Sequence, residues 1–421
     1  MGREGVAMVD VRERTPERAG GETGGPGPAL KGLRVIELAN GVAGPYCGKM
    51  LADFGADVIK VELPQGDPSR AVGPFPEGDR DAGASFLWLN TNKRGLVLDW
   101  LQPAGRKVLR QLVAQADVLV ESGPGAELSR LRLDPKSLLR LSSRLIVTSV
   151  TPFGRTGPWR DRPATDLTVS ALGGMSFLNG LPGEEPLREP GSQTEIIAGI
   201  SAYIGTMAAL ADRSVTGQGQ AVDAGALEAM LGILTPYITQ YSYQGSYMER
   251  GPQSRKYMFR CQDGYVSIVI ALFNAWELLT EFLDLGEKAS APDEATNMML
   301  MRDDRRVHEL LEPGLQRYTR TELFAALMES RMNVGMVLSI PELRTDQHLA
   351  ARRFFKSVDD PRAREAVFPG APFRLEDCEW TLRRPAPGLG EHSEEVLAEL
   401  MGCSTRRRVA LRRAGITGGK G

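Results

Sequence analysis

Histidine and cysteine are scarce in this sequence, and their positions narrow the possibilities at once. The three histidines, His308, His348 and His392, all lie in the last third of the 421 residues. A mechanism that needs a histidine from the N-terminal half is therefore excluded. The four cysteines, Cys47, Cys261, Cys378 and Cys403, are far apart and form no CxxC pair. They read as reduced thiols of a cytoplasmic protein, not as a zinc site or a disulfide framework. Two glycine- and proline-bearing turns could bring backbone N–H groups to a ligand: Ala39-Asn40-Gly41-Val42-Ala43-Gly44-Pro45 and Ser122-Gly123-Pro124-Gly125. Neither is a GxGxxG or a P-loop, and turns of this composition are common in α/β proteins without binding anything. Lys93-Arg94 and Arg255-Lys256 are basic pairs that could meet an anion, although the expected place for such pairs is solvated surface.

The two turns gain weight from the elements around them. LRVIEL (residues 33–38) is a short apolar run with the character of a buried strand; it enters the first turn and then YCGKMLADF, which has helical spacing. Pro45 suits a first helical turn, and Gly55 stands where a left-handed residue ends a helix. DVIKVEL (57–63) is the next strand, closing a βαβ unit. A second unit has a helix over 104–115 and the strand DVLVES (117–122); a third passes through KSLLRLSS into LIVTSV (145–150). This alternation specifies a Rossmann-like α/β fold, a parallel sheet with helices on both faces. Ligands of open sheets bind outside the carboxyl ends of the strands, where both turns lie.

The chain carries 51 Lys+Arg against 53 Asp+Glu, a formal net charge of −2, with 42% hydrophobic and 25% charged residues. Such a length implies roughly two or three domains. The balance argues against a dedicated nucleic-acid binder but leaves room for one small anion held by local positive potential. Residues 1–28 are polar and Gly/Pro-rich and read as a disordered tail without the features of a secretory signal. No run approaches the ~18 consecutive apolar residues of a membrane span. After Val150 the character changes: a Gly/Pro-rich loop, a small-residue helix over 193–211, the turn TGQGQ (216–220) and a second helical segment over 223–234. Residues 236–341 read as a separate unit with one clear strand, GYVSIVI (264–270), and helices around 276–285 and 323–330.

At this point the sequence strongly resembles the family III coenzyme A transferases, which include formyl-CoA and carnitine CoA-transferases and the α-methylacyl-CoA racemases. The blocks that carry the resemblance are LKGLRVIELANGVAGPYCGKMLADFGADVIKVE (30–62), NTNKRGLVLD (90–99), ADVLVESGPGAELSRL (116–131), RLIVTSVTPFGRTGP (144–158), IGTMAALADRSVTGQGQAVDAG (204–225) and PAPGLGEHSEEVLAEL (385–400). The resemblance implies a large Rossmann-like domain made from both chain ends (29–225 and 355–421), a smaller α+β middle domain (236–341) and a homodimer of interlocked chains. It also implies a chemistry without a resident cofactor or metal. An ionised carboxylate attacks a thioester carbonyl to give an enzyme-bound mixed anhydride and CoA thiolate, and an acceptor carboxylate enters in the second half of the exchange.

Registering IGTMAALADR on the family pattern puts Glu195 where the family's nucleophilic aspartate stands, one C–C bond longer. Asp166 matches a recurring acidic position whose expected role is to orient the site. Thr165, just before it, replaces the histidine of the racemases, and threonine cannot exchange the α-proton, which disfavours racemisation. The resemblance assigns CoA contacts to Asn40, Val42 and Ala43, to Leu98, to Ser122 and Gly123, and to Arg130. Leu63, Leu101 and Pro163 stand where the formyl-CoA enzyme has basic contacts, and GPQSRKYMFRCQDG (251–264) lacks its glycine-rich acyl loop, so the acyl group is not expected to be formyl. The sequence thus reads as a cytoplasmic CoA-transferase acting on an acyl-CoA and a carboxylic acid, with no nucleic-acid or membrane partner. The other reading is a CoA-thioester-binding subunit of a heteromer with a related chain.

Overall fold

The computed structural model describes residues 27–76, 82–181, 183–247, 250, 257–270, 275–286, 304–363, 366–378 and 380–418. Nearly all of the expected tail, the basic pair Arg255-Lys256 and the start of the 251–264 segment lie outside the described residues. Six strands form one sheet: β1 (Arg34–Leu38), β2 (Asp57–Glu62), β3 (Arg94–Val97), β4 (Val118–Glu121), β5 (Ile146–Thr151) and β6 (Ala221–Gly225). Their order is β3-β2-β1-β4-β5-β6, and every neighbouring pair is parallel. The winding reverses between β1 and β4, as in a Rossmann fold, and the carboxyl ends of the strands at such a switch point are where that fold leaves its ligand crevice. Between and after the strands come α1 (Ala43–Asp53), α2 (Ala84–Leu89), α3 (Pro103–Val113), α4 (Gly125–Arg130), α5 (Pro135–Leu139), α6 (Asp166–Leu172), α7 (Met175–Leu178), α8 (Gln193–Thr216), α9 (Ala226–Ile233) and α10 (Thr235–Gln244).

Because side chains alternate along a strand, the sheet feeds two cores. Val35, Val58 and Val118 pack with Cys47 and Leu51 of α1 and with Ala198 and Ala202 of α8. Ile36, Ile59 and Leu119 pack on the other face with Val108 and Leu112 of α3 and with Val396 and Leu397. The latter two belong to the helix Ser393–Met401, which brings the C-terminal part of the chain back to the sheet. There the edge strand β3 is covered: Gly95 N–H donates to His392 Nδ1 (3.2 Å), His392 N–H to the Gly95 carbonyl (2.9 Å), and Val97 N–H to Ser393 Oγ (3.1 Å). A covered edge cannot recruit another strand. By length and composition α8 is apolar enough to cross a membrane, yet it packs against α1, β5, β6 and α9 as the central helix of one core.

A second sheet, antiparallel, joins β7 (Met258–Cys261), β8 (Gly264–Ile268) and β9 (Val334–Met336). Its Phe259, Val266 and Ile268 share a separate core with Trp276, Leu311 and Leu323.

Two sequence expectations are corrected. The helical segment expected from residue 223 begins at Ala226; Asp223 lies in β6, whose pairing with β5 outweighs local helical spacing. Lys93 and Arg94 are not a solvated pair. Both are buried, because each has carboxylate partners that remove the cost of leaving water.

Candidate active site

The crevice at the switch point is walled by the two turns that follow β1 and β4. Gly41 has φ 76°, a left-handed conformation that lets the chain reverse out of β1. Asn40 N–H donates to Ser122 Oγ at 3.2 Å, so the turns are joined across the crevice mouth. Asn40 is exposed, and Val42, Ala43, Ser122 and Gly123 are half-buried, so all five offer surface to a ligand. Helix α1 starts at Ala43 with no side-chain cap and no acidic residue in its first turn. Its opening N–H groups are thus open to an anion or a developing oxyanion.

The second turn is fixed by a pair that the sequence reading did not single out. Arg155, from the loop after β5, forms an ion pair with Glu121 and donates through Nη1 to the Gly123 carbonyl at 2.7 Å. Gly123 N–H in turn donates to Glu121 Oε2 at 3.1 Å. The available signal was Glu121 itself, a carboxylate inside an apolar strand, which must find a partner when buried.

Asp166 and Glu195 come together although they sit on different helices. Asp166 is buried at the start of α6, and its Oδ1 accepts from Thr194 N–H (3.0 Å), Thr194 Oγ1 (2.6 Å) and Glu195 N–H (3.4 Å). It therefore caps α8, whose own flanking residue Ser192 makes no capping bond to the backbone. Glu195, in the first turn of α8, is half-buried. Burial pushes its carboxyl above the ordinary range, the negative charge of Asp166 pushes it further, and a hydrogen bond from Ser192 opposes both.

The side of α8 that carries Glu195 abuts the start of α1. Gly199 lies one turn further along, on the same face. A Cβ there would stand 2.6 Å from the Ala43 carbonyl oxygen and 3.0 Å from Tyr46 Cβ. Close approach at this glycine brings the Glu195 helix against the turn that contains Val42 and Ala43.

Other expected contacts lie elsewhere. Leu98 is fully buried in the core beneath α3, so its side chain presents no surface to a nucleotide. Arg130, in the last turn of α4, has a side chain 73% exposed, with Glu127 at 3.8 Å. Thr165 is exposed and caps α6 by accepting from Thr168 N–H at 3.4 Å.

Both the sequence and the whole fold match known proteins. The sequence pattern of CoA-transferase family III fits residues 30–393. The chain belongs to that family. It is 36% identical over 386 residues to the succinyl-CoA:(R)-benzylsuccinate CoA-transferase subunit BbsE of Thauera aromatica, covering 87% of this chain and 93% of that one. It is 32% identical over 385 residues to the succinate–glutarate CoA-transferase of Agrobacterium fabrum, covering 89% and 96%. Among solved structures, a CAIB/BAIF family protein from Brucella suis superposes with a TM-score of 0.80 at 32% identity, over 88% of this chain and 99% of that one. The family III chain described here is a CoA-transferase.

Proposed function

We propose that this enzyme moves CoA from a dicarboxylic acyl-CoA of the succinyl type to a second carboxylic acid, with Glu195 as the acyl carrier. The observation that carries the reading is the contact of Gly199 with the Ala43 carbonyl, which brings the Glu195 face of α8 to the open N-terminus of α1. Ionised Glu195 attacks the thioester carbonyl carbon. The C–S bond breaks, CoA leaves as thiolate and a mixed anhydride remains. The thiolate then attacks the Glu195 carbonyl carbon, which releases the donor carboxylate and leaves a glutamyl-CoA thioester. The acceptor carboxylate attacks that thioester, expelling the thiolate and forming a second anhydride, and the thiolate attacks the acceptor's carbonyl to give the acceptor's CoA thioester and free Glu195. N–H groups at the start of α1 stabilise the oxyanion formed on the way. Asp166 orients Glu195 through its backbone, and burial leaves the carboxylate less strongly solvated than a surface glutamate. No resident cofactor enters these steps.

The test is trapping. Incubation with succinyl-CoA and hydroxylamine is expected to leave a hydroxamate on Glu195, detected by peptide mass spectrometry, and Glu195→Gln is expected to abolish both the hydroxamate and CoA transfer. A second reading rests on the glutamate in place of the family's aspartate and on BbsE being named as a subunit. In it, the chain binds the thioester while a related partner chain carries the acyl group. That reading takes over if a broad panel of thioesters leaves no hydroxamate while CoA still binds.

A homodimer with interlocked chains remains part of the proposal. It is supported by the apolar surface of α8 to α10, where Ile204, Ile233, Ile238 and Tyr241 are all exposed. A cytoplasmic setting is supported by four cysteines that are all free.

A further inference from the structure

Beneath the crevice lies a group of charges that the transfer chemistry does not use. Glu37 of β1 and Lys60 of β2 are cross-strand partners, and with Lys93 their side chains are completely buried. Lys60 Nζ is 3.2 Å from Glu37 Oε1 and 2.8 Å from Asp67 Oδ2, and it donates to the Ala39 carbonyl at 2.9 Å. Lys93 Nζ is 2.7 Å from Glu37 Oε2, and it donates to Asn90 Oδ1 at 2.9 Å and to the Pro45 carbonyl at 2.8 Å. Asp67 Oδ1 accepts from Gly41 N–H at 3.3 Å. Two ammonium groups and two carboxylates balance, and each ammonium makes two hydrogen bonds and one further ion-pair contact.

We propose that Glu37, Lys60, Asp67 and Lys93 form a buried clamp that positions the thioester-facing turn, residues 39–45. They hold the turn at its start (Ala39 O), its middle (Gly41 N–H) and its far end (Pro45 O). Stability alone does not account for such a group, because apolar residues of similar volume often replace buried ion clusters at no loss. Hydrocarbon side chains could fill the space but could not orient three backbone groups. Helix α1 is shaped to admit the clamp: a Cβ on Gly48 would stand 1.8 Å from Glu37 Oε2. With the turn held from below, the first N–H groups of α1 stay aimed into the crevice without reorganising when the oxyanion forms. This inference rests on the crevice being the CoA site.

The test compares two charge-balanced double variants. E37Q/K93M removes the link to the Pro45 carbonyl. K49M/D53N removes another buried pair of α1, Lys49 and Asp53 at 2.9 Å, which does not touch the turn. The dissociation constant for CoA is measured by calorimetry, KM and kcat with succinyl-CoA, and the thermal midpoint for both. E37Q/K93M is expected to raise the dissociation constant and KM at least tenfold. K49M/D53N, with an equal or larger loss of thermal midpoint, is expected to bind CoA like the parent. Gly48→Ala, which displaces the Glu37 carboxylate without removing a charge, is expected to weaken CoA binding as well and serves if E37Q/K93M does not fold. Unchanged CoA binding in E37Q/K93M and Gly48→Ala, or equal weakening in K49M/D53N, overturns the clamp. A parent chain that binds CoA but forms no hydroxamate overturns only the transfer reading, since the dissociation constants still decide this one.

Discussion

Gly199→Ala offers a direct measurement of how closely the two halves of the site must fit. The added Cβ would lie 2.6 Å from the Ala43 carbonyl oxygen, a backbone atom that cannot rotate away. Carbon–oxygen packing normally needs about 3.4 Å, so α8 must withdraw from α1 by about 0.8 Å. Overpacking of this kind costs about 1–3 kcal/mol, and replacing glycine within a helix returns about 1 kcal/mol. The variant is therefore expected to fold, with a net loss of about 0–2 kcal/mol. Catalysis has less tolerance, because Glu195 moves with α8 while the 39–45 turn stays on the sheet. A misplacement of ~1 Å costs on the order of 100-fold in rate. The expected outcome is a kcat lower by roughly 30- to 100-fold with little change in the dissociation constant for CoA. Gly205→Ala is the control: its Cβ would meet only the Val222 Cγ1 methyl, at 2.8 Å, a side chain that can shift. A Gly199→Ala enzyme with kcat within about twofold of the Gly205→Ala enzyme would refute the placement of Glu195 against the turn.

Two further predictions concern titration. In the proposed mechanism Glu195 must be ionised to attack, so kcat/KM is expected to fall as pH drops through its raised pKa, and Asp166 is the second cause of that rise. Asp166→Asn keeps an oxygen to accept from Thr194 but removes the charge, so the acid limb of the pH profile is expected to move to lower pH, with the plateau within about tenfold of the parent; a limb that does not move counts against the pairing. His392 is shifted below its ordinary 6.5, chiefly by burial, and its unprotonated Nδ1 accepts from Gly95 N–H. A histidine pKa depressed by folding gives stability that is present at higher pH and lost as pH falls from about 6.5 through the folded value. His392→Asn supplies an acceptor that does not titrate, so the difference in thermal midpoint between parent and variant is expected to move in the variant's favour from pH 8 to pH 5. A constant difference would show that the Gly95 bond does not depend on the histidine's protonation.

The strands β1, β2, β4 and β5 were legible in the sequence because each is an apolar run flanked by a turn and a helical segment. β3 and β6 were not. RGLV is four residues that begin with arginine and glycine, and AVDAG is partly exposed and carries an aspartate. Each becomes a strand by pairing with a neighbour that sequence spacing does not reveal. At the site, the two turns could be found from their place at strand ends, whereas Glu195 and Asp166 were found only by matching a family pattern. Their contact depends on how α6 meets α8, which no local pattern encodes.

Buried charge separates what a sequence contains from what its fold must supply. A strand covered on both faces cannot leave a charge unpaired, so Glu37 within LRVIEL and Lys60 within DVIKVEL already require partners. The register of adjacent parallel strands sets them directly opposite one another. One carboxylate facing one ammonium still leaves protons and lone pairs without partners in a dry layer. Lys93, Asp67 and the backbone of the 39–45 turn supply them, from separate places in the chain. Lys93-Arg94 looks like a surface pair because no acidic residue adjoins it in sequence; Glu37 and Asp57 reach it only through the order of the strands. The charges that look most out of place in the apolar strands are thus the ones that hold, directly through Lys60 and by way of Lys93 for Glu37, the turn to which we assign the thioester.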